Sequence, residues 1–136
     1  MLDAELVAFG IRHHDPAPWV GTATVVDDAG AVAGFWEAVT GHPKELKHQP
    51  GNDYWVVGPP DGSLPRLVFV TVPEKKSTKN RVHLDLLPND SSQEEELARL
   101  LALGASVVDD RRRSNPGGWI VMADPEGNEF CVEHPG

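Results

Sequence analysis

Polar side chains that could bind ligands or transfer protons recur at alternate positions in two β-rich runs of the sequence. In a strand, successive side chains point to opposite faces, so alternate residues share a face. The first run places three such side chains on one face: Arg81, His83 and Asp85. The second run places three more on one face: Glu129, Cys131 and Glu133. Together they predict either the polar floor of a ligand-binding cleft or an ion-pair network that holds two strands together.

His83 is the residue of this set that could carry catalysis, because an imidazole can act as general acid or base near neutral pH. It could also ligate a metal ion, with Glu129 or Glu133 as a second ligand. A catalytic metal site usually takes about three protein ligands, and a thiolate from Cys131 as the third would favour zinc or iron. No cofactor is therefore favoured, and a divalent ion with His83, Glu129 and Glu133 as candidate ligands is kept as the alternative.

Two tryptophans, Trp55 and Trp119, lie in β-rich runs at corresponding places in the two halves of the chain. Aromatic side chains combined with carboxylates attract organic cations. The two indoles are therefore predicted to help line the binding cleft, with packing in the hydrophobic core as the alternative.

The composition narrows the classes of partner. The chain has 136 residues, with 12 Lys and Arg against 21 Asp and Glu, which gives a net charge of −9. Such a chain repels phosphate backbones, so nucleic-acid binding is not expected. A single cysteine excludes a disulfide within the chain and a multi-cysteine zinc site. No apolar run is long enough to span a membrane. The N-terminus lacks the basic residues that begin a secretion signal, so the expected location is the cytoplasm.

Two amphipathic helices divide the chain into similar halves. The apolar face of the first is formed by Val32, Phe35, Trp36 and Val39. The apolar face of the second is formed by Leu97, Leu100 and Leu101. Spacings of three and four residues are typical of a helix packed on a core. Gly41 and Gly104 are placed to end the two helices. Ser91 and Glu94 have the spacing of a capping box at the start of the second.

Each helix is preceded by one β-rich run and followed by about three, so each half of the chain is predicted to form a βαβββ unit. In each half a turn with proline second and glycine fourth precedes the last strand, at residues 59–62 and 124–127. The predicted fold is α+β, in which the two modules form curved mixed sheets around a central cleft. The predicted parts are an N-terminal extension at 1–19, a first module at 20–73, a linker at 74–80 and a second module at 81–136.

Three stretches of the sequence, taken together, resemble one known family. They are FWEAVTG at 35–41, DPEGNEF at 124–130 and KNRVHLDL at 79–86. The first two resemble the first helix and the closing hairpin of the vicinal oxygen chelate superfamily, which includes glyoxalases and bleomycin-resistance proteins. The third resembles a narrower branch of glyoxalase-like domains common in actinobacteria. The resemblance implies the glyoxalase/bleomycin-resistance/dioxygenase-like fold, with a pocket between the sheets and often a divalent metal.

In this superfamily the metal enzymes typically take one His from the first strand of a module and one Glu from its last strand. The resemblance puts His83 at the His position of the second module and Cys131 at its Glu position. In the first module, residues 21–26 contain no His, and Phe69 stands at the Glu position. Only His83 keeps the family's residue, which implies an incomplete metal site.

Three functions stay open for such a protein. The first is the binding of a small molecule of unknown identity. The second is metal-assisted lyase, isomerase or dioxygenase chemistry of the glyoxalase type, acting through His83. The third is bleomycin-resistance-like sequestration of a cationic drug, which the negative net charge favours. The expected partners are a small-molecule ligand and a second copy of the chain, since such folds often form homodimers; nucleic acid and membranes are not expected.

Overall fold

The computed structural model of the chain describes residues 4–7, 22–26, 28–48, 50–51, 53–62, 66–73, 75–80 and 82–135, the first two ranges by their backbone alone. Within these residues two βαβββ modules follow one another, each with a mixed sheet and one helix. The predicted α+β fold class is therefore confirmed. Neither of the described helices is long and apolar enough to cross a membrane.

The first module has a four-stranded sheet. Strand β1 (Ala4–Val7) precedes this module in the chain and belongs to the other sheet. The elements of the module are β2 (Thr22–Val26), α1 (Ala29–Thr40), β3 (Lys44–Lys47), β4 (Tyr54–Val57) and β5 (Leu67–Thr71). The strand order is β2-β5-β4-β3, in which β2 runs parallel to β5 and the other neighbours are antiparallel.

The second module repeats this arrangement. Its elements are β6 (Leu84–Pro88), α2 (Gln93–Ala102), β7 (Ser106–Asp110), β8 (Ile120–Ala123) and β9 (Glu129–Val132). The strand order is β1-β6-β9-β8-β7, in which β6 runs parallel to β9 and the other neighbours are antiparallel. Strand β1 pairs with β6, so part of the segment set apart above as an N-terminal extension is added to the edge of the second sheet.

Local capping contacts define both ends of α1. At its start, the Asp28 side chain accepts a hydrogen bond from the backbone N–H of Ala31 at 3.0 Å. At its end, Gly41 has a φ of 70°, in the left-handed region that glycine adopts without steric cost. The helix therefore ends at the glycine that the sequence predicts.

The capping box at the start of α2 lies one residue later than predicted. The capping box is formed by Ser92 and Glu95 rather than by Ser91 and Glu94. Asp90 has a φ of 55°, so the chain turns there and reaches Ser92 in the extended conformation that an N-cap needs.

One hydrophobic core joins the two modules. Helix α1 contributes Val32, Phe35, Trp36 and Val39, and its own sheet contributes Val57, Leu67 and Phe69. The second module contributes Leu86, Leu100, Ile120, Met122, Phe130 and Val132. Burial of this apolar surface is the main force that stabilises the fold.

Helix α1 contacts the second module as well as its own sheet. The rings of Trp36 and Phe130 lie 5.1 Å apart between centroids. Arg99 of α2 donates hydrogen bonds to the carbonyl oxygens of Ala38 and Val39 at the end of α1. The second sheet therefore has one face against helices and apolar side chains, and its other face is turned away from this core.

Candidate functional site

A hollow of about 550 Å³ lies over the face of the second sheet that is turned away from the core. Its buried and half-buried lining residues are Asn80, Asp85, Val121, Glu129, Cys131 and Glu133. Its exposed lining residues are Lys79, His83, Arg111 and Trp119. Among the described residues, the whole lining comes from the second module and the end of the linker before it.

Strand pairing brings the floor of the hollow together. Asp85 of β6 lies opposite Cys131 of β9, and Cys131 lies opposite Val121 of β8. The three side chains therefore form a row across one face of the sheet. Their neighbours Leu86 and Phe130 point to the opposite face and are fully buried in the core.

Asp85 is the least satisfied polar residue of the floor. Only 9% of its surface is exposed, and within the described part of the chain its Oδ1 has no hydrogen-bond partner. His83 Nε2 lies 3.2 Å from this oxygen, as an ion-pair contact when the imidazole is protonated. A buried carboxylate oxygen without a donor costs free energy. This buried oxygen is therefore the atom of the floor at which a proton donor or a cation would gain most.

Cys131 is a neutral thiol in this environment. It is 4% exposed. Burial raises the pKa of its thiol to about 12, and the negative charges of Asp85 and Glu133 and a hydrogen bond with Asp85 act in the same direction. Because the thiolate is the nucleophile, a thiol with so high a pKa is not an activated one.

Glu133 adds a second carboxyl group beside Asp85. Burial raises the pKa of Glu133 above its ordinary value, and the charge of Asp85 raises it further, whereas His83 lowers it. Two carboxylates that share a site disfavour each other's ionised form, and a cation between them relieves that repulsion.

Glu129 connects the hollow to the linker between the modules. Its Oε2 accepts a hydrogen bond from the backbone N–H of Asn80 at 2.7 Å, and its Oε1 lies 3.8 Å from Lys76 Nζ. These contacts bring Lys79 and Asn80 to the edge of the hollow. Glu129 therefore takes part in a network between chain segments while it also lines the hollow.

The structure brings most of the residues singled out from the sequence into one place. Those that line the hollow are His83, Asp85, Trp119, Glu129, Cys131 and Glu133. Trp119 is 39% exposed, so its ring is open to a flat ligand. Arg81 lies outside the described residues. Participation of these side chains in ligand binding stays a prediction.

Trp55 lies elsewhere. Strand pairing puts it opposite Phe69, a core residue of β5. A Cβ atom on Gly30 of α1 would stand 3.3 Å from its Nε1, and Lys44 Nζ lies 5.1 Å from its ring centroid. Of the two alternatives weighed for this indole, the structure places it against the core and away from the hollow.

Four residues that line the hollow were not among those predicted to bind a ligand: Lys79, Asn80, Arg111 and Val121. Val121 follows Trp119 at alternate spacing, so strand alternation could have found it. Lys79 and Asn80 reach the hollow through the contact of the linker with Glu129, which no local pattern encodes. Arg111 begins a short 3-10 turn, Arg111–Arg113, and its ion pair with Asp109 at 2.6 Å is also beyond sequence patterns.

One group of potential metal ligands lies on the floor. Donor atoms of His83, Asp85 and Cys131 all lie within 4.8 Å of one another. The alternative set named from the sequence, His83 with Glu129 and Glu133, shares only the histidine with this group, whereas Cys131, named there as a possible third ligand, belongs to it. The difference arises because the pairing of β6 with β9 puts Asp85 beside Cys131.

Comparison with known families gives one extended match. A family model described as a glyoxalase-like domain matches residues 22–133. No curated protein matches the chain.

Solved structures share the fold at low sequence identity. The fosfomycin resistance protein FosX from Mesorhizobium loti has a TM-score of 0.66 at 16% identity, over 88% of this chain and 92% of that one. FosX from Listeria monocytogenes, in complex with Mn(II) and sulfate ion, has a TM-score of 0.65 at 13% identity, over 88% and 93%. TnmS3, an antibiotic-binding protein from Streptomyces sp. CB03234, has a TM-score of 0.64 at 22% identity, over 90% and 100%. At these identities the likeness establishes the fold alone.

Mn(II), the ion present in the Listeria structure, is poorly suited to the donor atoms of His83, Asp85 and Cys131. Manganese prefers oxygen ligands, together with imidazole, and a thiolate is a soft ligand that selects other metals. Of the three donors gathered on the floor, one is the buried sulfur of Cys131. The floor of the hollow is therefore not a manganese site of that kind.

Proposed function

Because the chain belongs to the glyoxalase-like domain family, we propose that it binds a small organic molecule in the hollow over its second sheet. The observation that carries the proposal is Asp85, which is 9% exposed on the floor of a hollow of about 550 Å³. A pocket of this size fits a drug-sized ligand, in which a few polar groups fix the orientation. The Oδ1 of Asp85 would accept a hydrogen bond from the ligand.

A positively charged nitrogen is the ligand group that this floor suits best. Asp85 and Glu133 repel each other when both are ionised, and a cation between them removes that penalty. The half-exposed ring of Trp119 offers a face for an aromatic part of the ligand or for the cation itself. The net charge of −9 would steer cations toward the protein.

One such function is sequestration of a cationic drug, in which the protein binds the drug without changing it chemically. The antibiotic-binding protein TnmS3 has the same fold. Binding alone suffices for such a role, and Cys131, whose thiol is neutral, need not react.

We also propose that the functional unit is a homodimer. Among the described residues the hollow is lined from one side only, by the second module and the linker. Val68 and Val70 of β5 are half-buried on the face of the first sheet opposite to the core residues Leu67 and Phe69. Light scattering after size-exclusion chromatography should give twice the chain mass; a monomer at micromolar concentration would contradict the dimer. The cytoplasmic location expected from the sequence stays a prediction.

Calorimetric titration with aromatic amidines tests the binding proposal. Benzamidine and larger amidines are compared with neutral benzamide analogues of the same shape, on the wild-type chain and on Asp85→Asn. The amidines should bind, and the substitution should weaken them by roughly 10- to 100-fold, as expected when a charge-assisted hydrogen bond of about 1.5–3 kcal/mol is lost.

The matched control is Asp53→Asn, which removes the same charge from an exposed aspartate of the first module. Because exposed charges are screened at moderate salt, this variant should bind almost as the wild type does. Equal affinity of wild type and Asp85→Asn for the amidines, or preference for the neutral analogues, would reject the proposal.

A second candidate is proton-transfer catalysis of the glyoxalase type through His83. The observation in its favour is the 3.2 Å contact between His83 Nε2 and Asp85 Oδ1. A carboxylate beside one ring nitrogen orients an imidazole, which leaves Nδ1 to exchange a proton with the ligand. Turnover of α-keto aldehydes or their thiol adducts that is lost in His83→Ala would support it; activity unchanged by that substitution would exclude this mechanism.

A further inference from the structure

We propose that His83, Asp85 and Cys131 form a binding site for a thiophilic divalent ion, with zinc preferred over manganese. The site lies on the floor of the hollow, and its donors come from two neighbouring strands of one module. His83 and Cys131 stand at the two ligand positions that the family resemblance implies for the second module. The donor set nevertheless differs from the family's, because Cys131 replaces the glutamate and Asp85 has no counterpart in that pattern. The inference does not depend on the proposed binding of an organic molecule.

The backbone fixes two of the three donors. Asp85 and Cys131 are paired in the parallel register of β6 and β9, so their side chains leave the sheet side by side. His83 stands two residues before Asp85 and shares its face. Its side chain is 49% exposed, so the ring has room to adjust its position.

The distances suit a tetrahedral ion after a small adjustment. His83 Nε2 and Asp85 Oδ1 are already 3.2 Å apart, and all three donor atoms lie within 4.8 Å of one another. Zinc bonds of about 2.0–2.3 Å at tetrahedral angles place donor atoms about 3.3–3.6 Å apart. The two strands therefore need no rearrangement, and rotation of side chains closes the remaining gap.

The chemistry of the donors selects the metal. Zinc binds imidazole nitrogen, carboxylate oxygen and thiolate sulfur, whereas hard ions such as manganese prefer oxygen. Three protein ligands leave a fourth position, which here faces the hollow and can take water or a ligand group. The Oδ1 of Asp85, without a hydrogen-bond partner among the described residues, gains a partner when an ion binds.

Binding of the ion has a simple proton balance. A sulfur–zinc bond forms, the S–H bond of Cys131 breaks, and one proton is released to solvent. No electron is transferred and no other reactant is consumed.

Cobalt(II) provides a direct optical test, because thiolate ligation gives it an intense charge-transfer band and tetrahedral geometry gives strong visible bands. The full-length chain, stripped with a chelator, is titrated with cobalt and then with zinc or manganese as competitor. Wild-type protein should develop both sets of bands at one ion per chain. Zinc should displace cobalt, and manganese should not.

Variants identify the donors. Cys131→Ser should lose the charge-transfer band. His83→Ala, at a half-exposed position that the fold tolerates, should weaken cobalt binding by at least about 10-fold. Asp53→Asn should bind cobalt as the wild type does. Circular dichroism verifies that each variant is folded.

Three results would overturn the site: the absence of a charge-transfer band in the wild-type protein, a band that persists in Cys131→Ser, or manganese that competes as well as zinc. Amidine binding measured on the same metal-free samples separates the two proposals. If amidines bind and cobalt gives no thiolate band, only the metal site is rejected. If cobalt binds and amidines do not, only the organic ligand is rejected.

Discussion

Replacing Trp36 with phenylalanine should weaken the fold through the loss of one buried hydrogen bond between the two modules. Trp36 lies in the run FWEAVTG and Asp124 in the run DPEGNEF, the two stretches that carry the resemblance at family level. Trp36 Nε1 donates to Asp124 Oδ2 at 3.2 Å, and both residues are 3% exposed. This bond ties the hairpin before β9 to helix α1.

The size of the effect follows from the contacts of Asp124. Its Oδ1 already accepts hydrogen bonds from the backbone N–H groups of Glu126 and Asn128, which shape the turn. In Asp124→Asn the amide oxygen is expected to keep those partners. The NH₂ group then faces Trp36 Nε1 and the side-chain amide of Asn128, which donates to Oδ2 at 2.9 Å, and it cannot accept from either. A buried hydrogen bond to a carboxylate is worth about 1.5–3 kcal/mol.

A double-mutant cycle separates the energy of the Trp36–Asp124 hydrogen bond from that of the ring contacts, which Trp36→Phe also changes. The free energy of unfolding is measured by urea denaturation with circular dichroism for the wild type, Trp36→Phe, Asp124→Asn and the double variant. We expect a coupling energy of about 1.5–3 kcal/mol. Effects that add to within about 0.5 kcal/mol would show that the two residues act independently and would refute the reasoning. Trp119→Phe, at an exposed indole, serves as the control and should change stability by less than about 0.5 kcal/mol.

Two further predictions concern the hollow and the first helix. Glu133→Gln should stabilise the metal-free protein near neutral pH, because burial and Asp85 raise the pKa of Glu133 and so make its ionised form unfavourable in the folded state. That penalty is absent below the ordinary glutamate pKa of 4.5 and grows as the pH rises. The melting temperature of Glu133→Gln should therefore exceed that of the wild type at neutral pH but not in acid. An increase of equal size at both pH values would contradict this explanation. Gly41→Ala should cost about 1 kcal/mol, since a φ of 70° is strained with a Cβ atom. Gly34→Ala, within the same helix, should be neutral or stabilising because the added Cβ meets only the far end of the flexible Lys44 side chain, with Nζ at 3.3 Å. Chemical denaturation that ranks the two variants in the opposite order would contradict this expectation.

The elements of the fold could be predicted because each is specified by local contacts. Apolar residues at helical spacing placed both helices, and Gly41 ended the first one in the left-handed conformation. Strand alternation correctly put His83, Asp85 and Cys131 on the face away from the core, since Leu86 and Phe130 on the other face are fully buried. The capping box was displaced by one residue because the positive φ of Asp90 shifts the turn, a feature that spacing alone does not show.

The parts that could not be predicted depend on contacts between distant segments. Both faces of β4 carry hydrophobic residues, so the sequence does not show which face Trp55 belongs to. Only its pairing with Phe69 shows that it packs on the core. Asn80 reaches the hollow because Glu129 binds its backbone N–H across 49 residues. The sequence predicts that Asp85 binds a ligand but does not predict it as a metal ligand, because its pairing with Cys131 depends on the parallel register of β6 and β9.

Ligands are proposed to enter the hollow on the outer face of the second sheet and to contact its floor. Titration of the isotope-labelled chain with benzamidine, followed by NMR of the backbone amides, tests this most directly. The largest shifts should fall on Asp85, Val121 and Cys131, with little change at Val57 and Leu67 of the first sheet. Shifts concentrated on the first sheet, with the row across β6, β9 and β8 undisturbed, would contradict it.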